Sequence, residues 1–499
     1  MSRKWLILYV IILMYLPVSI DATVLHVAMP RLSISLSATG EQLLWIIDIY
    51  SLVMAGLLLP MGVLGDRIGF KRLAIFGVSI FAIASLAAAL SDTVTNLIVA
   101  RALLAVGAAM IIPATLSTLR HIFTDQRERN FALGIWTAVG TVGAAIGPLI
   151  GGWLMEYFYW GSVFLINLPI IAVVLYFTVV LVPKQPIKSD VSWPVWQALL
   201  LITAILLLVY TAKVAIRGTS PAYIILLLTT LSISLIVLFI RYQLRANLPM
   251  IDVYIIKQRV IAVSILMALV AMIALVGFEL LLTQELQFAL GKSPLEAGLF
   301  LLPLMISSAI SGPVSGKLIT KFGVRTIATL GIFISGVAFF ILAFTDYTNH
   351  VYLAWVGMMI LGAGIEASML ASTSSIMTSV PIEKSGEAGA LEGMAYELGA
   401  GFGVAVFGML LSATYSANIV LPDELSNELA NIARASIGES VQVAQIVDQS
   451  IAVKLMEVAK LAFSSSHYLV LVTAGSILIF LASIMWFLIP KNRSSLNID

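Results

Sequence analysis

The sequence contains no cysteine and little charge. Of its 499 residues only 11% are Asp, Glu, Lys or Arg, whereas 60% are hydrophobic. The missing thiols exclude disulfides, thiolate chemistry and cysteine-ligated metals. A soluble domain of ordinary composition carries about 25% charged residues, so this chain has too little polar surface for a water-soluble protein. We therefore expect a membrane protein.

Signatures of enzymatic chemistry are also missing. No Gly-x-x-x-x-Gly-Lys-[Ser/Thr] phosphate loop occurs in the sequence, so ATP is not expected to be the direct energy source. The four histidines, His26, His121, His350 and His467, are scattered without the spacing of metal ligands. We expect no enzymatic activity, no metal, no bound cofactor and no nucleic-acid partner.

Long apolar stretches dominate what is present. A bilayer core of about 30 Å needs roughly 20 apolar residues in a helix, and each spanning segment must be helical because an open strand edge would leave unpaired backbone groups in lipid. The pattern predicts an all-α polytopic membrane protein with 14 transmembrane helices. Their approximate positions are 5–27, 43–64, 72–90, 96–119, 131–154, 162–182, 195–215, 222–241, 260–283, 296–316, 326–345, 351–377, 387–412 and 468–489.

Basic residues predict the orientation of these spans. The apolar run after Arg3 and Lys4 continues past Pro17, which suits an uncleaved first span better than a signal peptide. Most Lys and Arg residues then fall on one side of the predicted topology, and such a bias marks the cytoplasmic side. We expect the cytoplasmic (inner) membrane, with both termini in the cytoplasm.

An internal repeat divides the chain. The stretch 62–72, with Gly-x-Leu-Gly-Asp-Arg-x-Gly, is echoed at 316–325 after eight further spans. We therefore predict a six-helix half at 1–182, two extra helices with their linkers at 183–259, and a second six-helix half at 260–499. Parallel halves of this kind place the substrate path between them, near the membrane midplane.

One long segment, 413–467, is not predicted to span the membrane. Apolar residues at helical spacing near its end predict a helical hairpin outside the cytoplasm. Pro422-Asp423 is typical of a helix start and Gly438 of a break. A packed hairpin without further function and a gating or partner-binding role both remain open.

Ionisable residues inside the spans are the main candidates for function, because each is costly to insert into a membrane. A carboxylate in a partly dry cavity can exchange a proton for a cation. The alternative is that an acid only caps a helix or pairs permanently with a neighbour. The candidates for proton coupling and cation recognition are Asp21, Asp48, Arg101, Glu279, Glu366, Glu392 and Glu397.

Aromatic rings attract cations and bury apolar ligand surface, so aromatic residues near these acids could form the walls of a binding site. The candidates are Trp45, Tyr50, Trp136, Phe278 and Tyr396. Simple packing is the alternative for each of them. The fifth span is rich in glycine and contains Pro148, which allows a close helix crossing, a bend, or both.

Several of these motifs resemble the major facilitator superfamily. The loop after span 2 is similar to the cytoplasmic latch motif of the family, which implies that role for Gly62, Asp66, Arg67, Gly69, Lys71 and Arg72. Arg101 stands in a stretch that resembles the arginine-bearing motif linked to proton transfer. Span 5 resembles the antiporter motif of exporters, here Gly143, Gly147, Pro148, Gly151 and Gly152.

The stretch from Asp21 to Pro30 is similar to a signature of the 14-span drug:proton antiporters, with His26 where Asn is usual. This resemblance implies a monomeric exporter in the bilayer that exchanges protons for lipophilic cations such as quaternary ammonium antiseptics, viologens and dyes. An uptake carrier or metabolite exchanger of the same fold remains the alternative. A channel or a membrane scaffold fits less well, because neither needs latch motifs together with buried acids.

Overall fold

The computed structural model describes residues 3–184, 195–217, 220–246, 249, 257–379 and 385–489. All regular secondary structure in these ranges is helical. Thirteen helices of the described chain are long and apolar enough to cross a membrane. The protein is therefore a multi-pass membrane protein.

The helices of the first part of the chain are α1 (Arg3–Ser35), α2 (Gly40–Ile68), α3 (Phe70–Ala89), α4 (Val94–Ile122), α5 (Gln126–Tyr157), α6 (Ser162–Leu165), α7 (Asn167–Leu181), α8 (Val195–Arg217) and α9 (Ala222–Arg245). Those of the second part are α10 (Arg259–Gln284) with a π-helical turn at Glu285–Ala289, α11 (Pro294–Phe300), α12 (Leu302–Phe322), α13 (Val324–Ala343), α14 (Val351–Ser379), α15 (Ser385–Asn418), α16 (Asn427–Ala435), α17 (Ile437–Ala444) and α18 (Gln449–Leu488).

The expected fifth span coincides with α5, which has 32 residues. Several side chains of α5 lie outside the described part of the chain, and α5 is not counted among the thirteen helices. The count of fourteen spans therefore stays a prediction. The expected sixth span is divided at Ile166 into α6 and α7, and the two pieces together are long enough to cross.

Two large apolar cores organise the bundle. One is built mainly from α1 to α7 and the other from α10 to α18. The helices make corresponding contacts in the two cores. Helix α3 packs on α4 in the first core, and α13 packs on α14 in the second. We call these the first and second halves.

The repeated loop has the same backbone conformation in both halves. Gly69 joins α2 to α3 with φ 89°, and Gly323 joins α12 to α13 with φ 82°. Positive φ is costly for residues with a Cβ, so both glycines are required by the turn. The repeat seen in the sequence is therefore a repeat of helix–turn–helix geometry.

The α8–α9 pair lies beside the seam between the halves. Helix α8 contacts α2 of the first half and α15 of the second, whereas α9 packs on α8. Gly56 of α2 leaves room for Ile202 of α8. Most of the apolar surface of α9 is not covered by protein.

Residues 419–448 form a helical extension between α15 and α18. Its helices do not begin where the sequence predicted. The expected start at Pro422-Asp423 is wrong, because α16 begins at Asn427, where the Ser426 hydroxyl accepts a hydrogen bond from the Leu429 amide. The expected break at Gly438 is also displaced, since Ser436 caps α17 and Gly438 lies inside that helix.

The extension also differs from the predicted hairpin in length, because residues 413–418 continue α15 and residues 449–467 begin α18. Its position is set by Gln442, whose side-chain amide donates hydrogen bonds to the carbonyl oxygens of Ser33 (2.9 Å) and Ala38 (3.1 Å). A segment of the second half is thus attached to the end of α1 and to the α1–α2 loop of the first half. We call this end of the bundle the extension end.

Candidate functional site

The candidate site centres on a buried ion pair between α1 and α4. Arg101 donates through Nη1 to Oδ2 of Asp21, and both side chains are buried. The Arg101 Nε also donates to the Ile46 carbonyl oxygen of α2, at 3.1 Å. A charge in an apolar interior is costly unless it is paired with an opposite charge and hydrogen-bonded. These contacts therefore hold Arg101 in place.

The second carboxylate oxygen of Asp21 lies outside this ion pair. Within the described residues, Oδ1 of Asp21 has no hydrogen-bond partner. A buried acceptor without a partner is unusual and calls for an explanation. A proton, a water molecule or a positively charged ligand at Oδ1 would satisfy it.

Aromatic rings lie beside the pair. The Arg101 guanidinium carbon is 4.4 Å from the centre of the Tyr50 ring, and the Tyr50 hydroxyl donates to the Val18 carbonyl oxygen at 3.4 Å. Tyr15 of α1 lies within electrostatic range of Tyr50 and stacks on Trp136, with ring centres 4.3 Å apart and planes 8° from parallel. The Tyr50 ring provides a flat face next to the buried ion pair.

The second half contributes Glu397 to the same region. This acid of α15 accepts a hydrogen bond from the Ser51 hydroxyl of α2, and it lies within electrostatic range of Tyr15 and Tyr50. The structure therefore brings Asp21, Arg101, Tyr50 and Glu397 of the expected site together. Tyr15 and Ser51 are additional members that the sequence analysis missed.

Asp48 lies at the seam between the halves. It is fully buried, and it is four residues from both Leu44 and Leu52, so all three share one face of α2. Leu44 packs at Gly408 and Leu52 at Gly401, both on α15. Asp48 thus faces the second half, whereas Tyr50, 200° further round the helix, faces Arg101.

Glu392 and Glu366 form a separate group in the second half. The Thr373 and Tyr396 hydroxyls donate to Oε1 of Glu392 at 2.6 and 2.8 Å. Glu366 lies beside Gly312 of α12 and interacts electrostatically with Tyr396. These contacts bring together α12, α14 and α15.

Glu279 pairs with His26 of the first half. Its Oε2 is 3.2 Å from Nδ1 of His26, and both side chains are buried. The remaining aromatic candidates are Phe278 and Trp45. Phe278 has no exposed surface and packs edge-on against Phe339 in the core of the second half, whereas Trp45 packs on Tyr210 of α8.

The glycines of α5 connect the site to both halves. A Cβ at Gly143 would lie 2.7 Å from Cβ of Ser19, and Gly147 and Gly151 pack equally closely on α1. Gly152 faces the second half, where a Cβ would lie 2.7 Å from the Pro294 carbonyl oxygen. Helix α5 therefore fits between the helix that carries Asp21 and the start of α11.

At the opposite end of the bundle lies the latch-like loop. The Lys71 ammonium donates to the Val179 carbonyl oxygen of α7 at 2.8 Å, and Gly65 accommodates the Phe70 ring. Space around Gly62 is open. Asp66 and Arg67 occupy the last turn of α2, next to Gly69.

A further buried group lies near the extension end of the second half. Ser464 donates to Oε1 of Glu285 at 2.7 Å, Oε2 of Glu285 is 3.6 Å from Nδ1 of His467, and Nε2 of His467 is 3.3 Å from the Tyr347 hydroxyl oxygen. Within the described residues, no group of three or more His, Asp or Glu side chains could hold a metal ion.

Known proteins resemble the chain over nearly its full length. The family model of the Major Facilitator Superfamily matches residues 11–404. The methyl viologen resistance protein SmvA of Salmonella typhimurium is 52% identical over 491 residues, which cover 98% of this chain and 99% of that protein. The multidrug efflux pump LfrA of Mycolicibacterium smegmatis is 36% identical over 467 residues, covering 93% and 92% respectively.

Solved structures agree with this assignment at the level of the fold. A bacterial homologue of the human lysosomal transporter Spinster, in an inward-facing and occupied conformation, superimposes with a TM-score of 0.70 at 17% identity, over 99% of this chain and 100% of that one. The sequence-based recognition of the family is confirmed. The chain therefore belongs to the major facilitator superfamily and is a multi-pass membrane transporter.

Proposed function

We propose that this transporter exports lipophilic cations from the cytoplasm in exchange for protons. Drug efflux is supported by the relatives, which are a methyl viologen resistance protein and a multidrug efflux pump. Proton coupling and cationic cargo rest on one observation, the buried Asp21–Arg101 pair with an unsatisfied carboxylate oxygen beside aromatic rings.

The exchange follows from the charges at this pair. A cation that enters between the halves is attracted to Asp21 and to the Tyr50 face, and it competes there with the Arg101 guanidinium. When a proton from the other side of the membrane neutralises the carboxylate, that attraction is lost and the cation leaves. Deprotonation toward the cytoplasm restores the negative site.

The other acids have distinct positions in this scheme. Asp48 and Glu397 lie on opposite sides of the α2–α15 seam, so both respond to the relative movement of the halves. Glu392 and Glu366 provide negative charge within the second half, which suits a cargo with two positive charges. Quaternary ammonium antiseptics, viologens and cationic dyes are the substrate classes that we propose.

We place the protein in the cytoplasmic membrane as a functional monomer, with both termini in the cytoplasm and the extension outside. The basic residues near Gly69 and Gly323 support this orientation. The energy source is then the proton gradient, and lipid, protons and the cationic cargo are the partners. No bound cofactor is required by this scheme.

Ethidium accumulation in intact cells tests the proposal. Cells that express the protein should accumulate less ethidium than cells that express Asp21→Asn, and an uncoupler should remove the difference. Faster accumulation in expressing cells would favour the uptake carrier. A difference that persists after the proton gradient has been collapsed would rule out proton coupling.

A further inference from the structure

Helices α1 and α10 belong to different halves and meet near the extension end. At their contact, Nδ1 of His26 is 3.2 Å from Oε2 of Glu279. The His26 side chain is 1% exposed and that of Glu279 is 6% exposed. A charged or polar group buried this deeply is costly unless it interacts with another, so the pair contributes to holding the two helices together.

Close packing surrounds this contact where α1 meets the π-helical turn and where α5 meets α11. Gln287, in the π-helical turn after α10, donates to the Val27 carbonyl oxygen at 3.1 Å. Gly298 of α11 sits against Pro148 of α5, where a Cβ would lie 2.7 Å from the carbonyl oxygen. Any movement that opens this end of the bundle must therefore separate His26 from Glu279.

The imidazole has little else to interact with. Within the described residues Nε2 of His26 has no hydrogen-bond partner, and Nδ1 faces Glu279 at ion-pair distance without the alignment of a full hydrogen bond. Removing one partner of a buried pair leaves the other uncompensated. The contact therefore requires α1 and α10 to stay packed together at this end.

We propose that His26 and Glu279 form the contact that keeps the transporter closed at the extension end, and that they separate when cargo is released there. In this role Glu279 stabilises one arrangement of the two halves, and it need not bind the cargo or the coupling proton. The inference goes beyond cation–proton exchange and depends on the proposed orientation only in calling this end the outside.

The absence of cysteine makes a direct test possible, since one introduced thiol is the only one in the chain. Val404 of α15 is a suitable site. It is 1% exposed and packs within the apolar core of the first half, so it becomes accessible only when the seam opens. The measurement is the labelling rate of Val404→Cys by an anionic, membrane-impermeant thiol reagent added to intact cells.

Both His26→Asn and Glu279→Gln should raise this rate in the Val404→Cys background. The expected increase is on the order of tenfold to a hundredfold, which corresponds to losing one interaction with a charged group. The double variant should label no faster than the faster single variant, because both changes remove one contact. The exchanged pair His26→Glu with Glu279→His should restore slow labelling.

Glu285→Gln is the matched control. Glu285 is also buried near the end of the same helix, but its neighbours Ser464 and His467 belong to its own half. Its substitution should leave the labelling rate unchanged. An equal increase with Glu285→Gln would show general loosening and overturn the proposal, as would unchanged labelling in both His26→Asn and Glu279→Gln.

Two further readouts separate this inference from the proposed function. Labelling requires no transport, so the proposal stands even if cation-induced proton release is never observed. If Glu279→Gln abolishes proton release without changing the labelling rate, Glu279 is a coupling acid and the gate proposal is wrong. If the variants label faster only in inside-out vesicles, the contact still closes this end of the bundle, but the end faces the cytoplasm.

Discussion

The Arg101 guanidinium covers the Tyr50 ring at 4.4 Å while it pairs with Asp21. A cation of the protein itself therefore occupies the positions that a cationic cargo would take, namely the aromatic face and the carboxylate. Binding must displace Arg101 or share these groups with it. This relationship makes the site sensitive to small changes in either residue.

Asp21→Asn should abolish exchange, because the amide carries no negative charge and cannot take up a proton at neutral pH. The measurement is cation-induced proton release from the detergent-purified protein, which should fall to background. Asp346→Asn is the control, since Asp346 lies in the exposed α13–α14 loop and interacts with Thr348 and Asn349. Full proton release from Asp21→Asn would remove Asp21 from the coupling role.

Tyr50→Leu should weaken cargo binding more than Tyr50→Phe does. The leucine removes the ring face, which contributes about 0.5 to 2 kcal/mol to a cation contact, whereas phenylalanine loses only the hydrogen bond to Val18. Titration of the purified protein with a fluorescent cation gives the two Kd values. Equal Kd values for both variants would exclude the Tyr50 ring from the binding site.

Alanine at the closely packed glycines of α5 should destabilise the protein. At Gly143 the new methyl group would lie 2.7 Å from Cβ of Ser19, and at Gly152 it would lie 2.7 Å from the Pro294 carbonyl oxygen. Overpacking of this kind costs about 1 to 3 kcal/mol, and the Tm in detergent should fall. Gly62→Ala is the matched control, because nothing lies near its Cβ, and its Tm should be unchanged or slightly higher.

Single cysteines on opposite ends of the bundle test the orientation. Glu428→Cys, on the exposed surface of α16, should react with an impermeant thiol reagent in intact cells, whereas Lys321→Cys, at the end of α12, should react only after permeabilisation. Both positions are exposed, so access to the reagent is the variable. The reverse result would place the extension in the cytoplasm.

Features that depend on local sequence patterns could be predicted from the sequence. Length and hydropathy predicted the helices, and the spacing of the repeated loop anticipated the shared geometry at Gly69 and Gly323. The helix start predicted at Pro422-Asp423 lies several residues before the start of α16, and the break predicted at Gly438 lies at Ser436 instead. The capping serines, Ser426 and Ser436, were stronger local signals than the proline and glycine chosen instead.

Partners across the bundle could not be predicted. Helices α1 and α10 are apolar on nearly all sides, so their sequences do not indicate which face meets which neighbour. The pairing of His26 with Glu279 and the orientation of Asp48 toward α15 depend on the rotation of each helix about its own axis. That rotation is set by contacts between segments hundreds of residues apart, such as Leu52 with Gly401.

The position of α8 has a consequence for cargo that dissolves in the bilayer. Because α8 covers the line where α2 meets α15, an amphiphile in the lipid has no direct entrance between the halves on that side. The opposite line, where α5 meets α11 and α12, has no such cover among the described helices. Cargo that did enter from the lipid would have to pass beside α5 and α12, and the composition of the lipid there should then influence transport more than the lipid around α9.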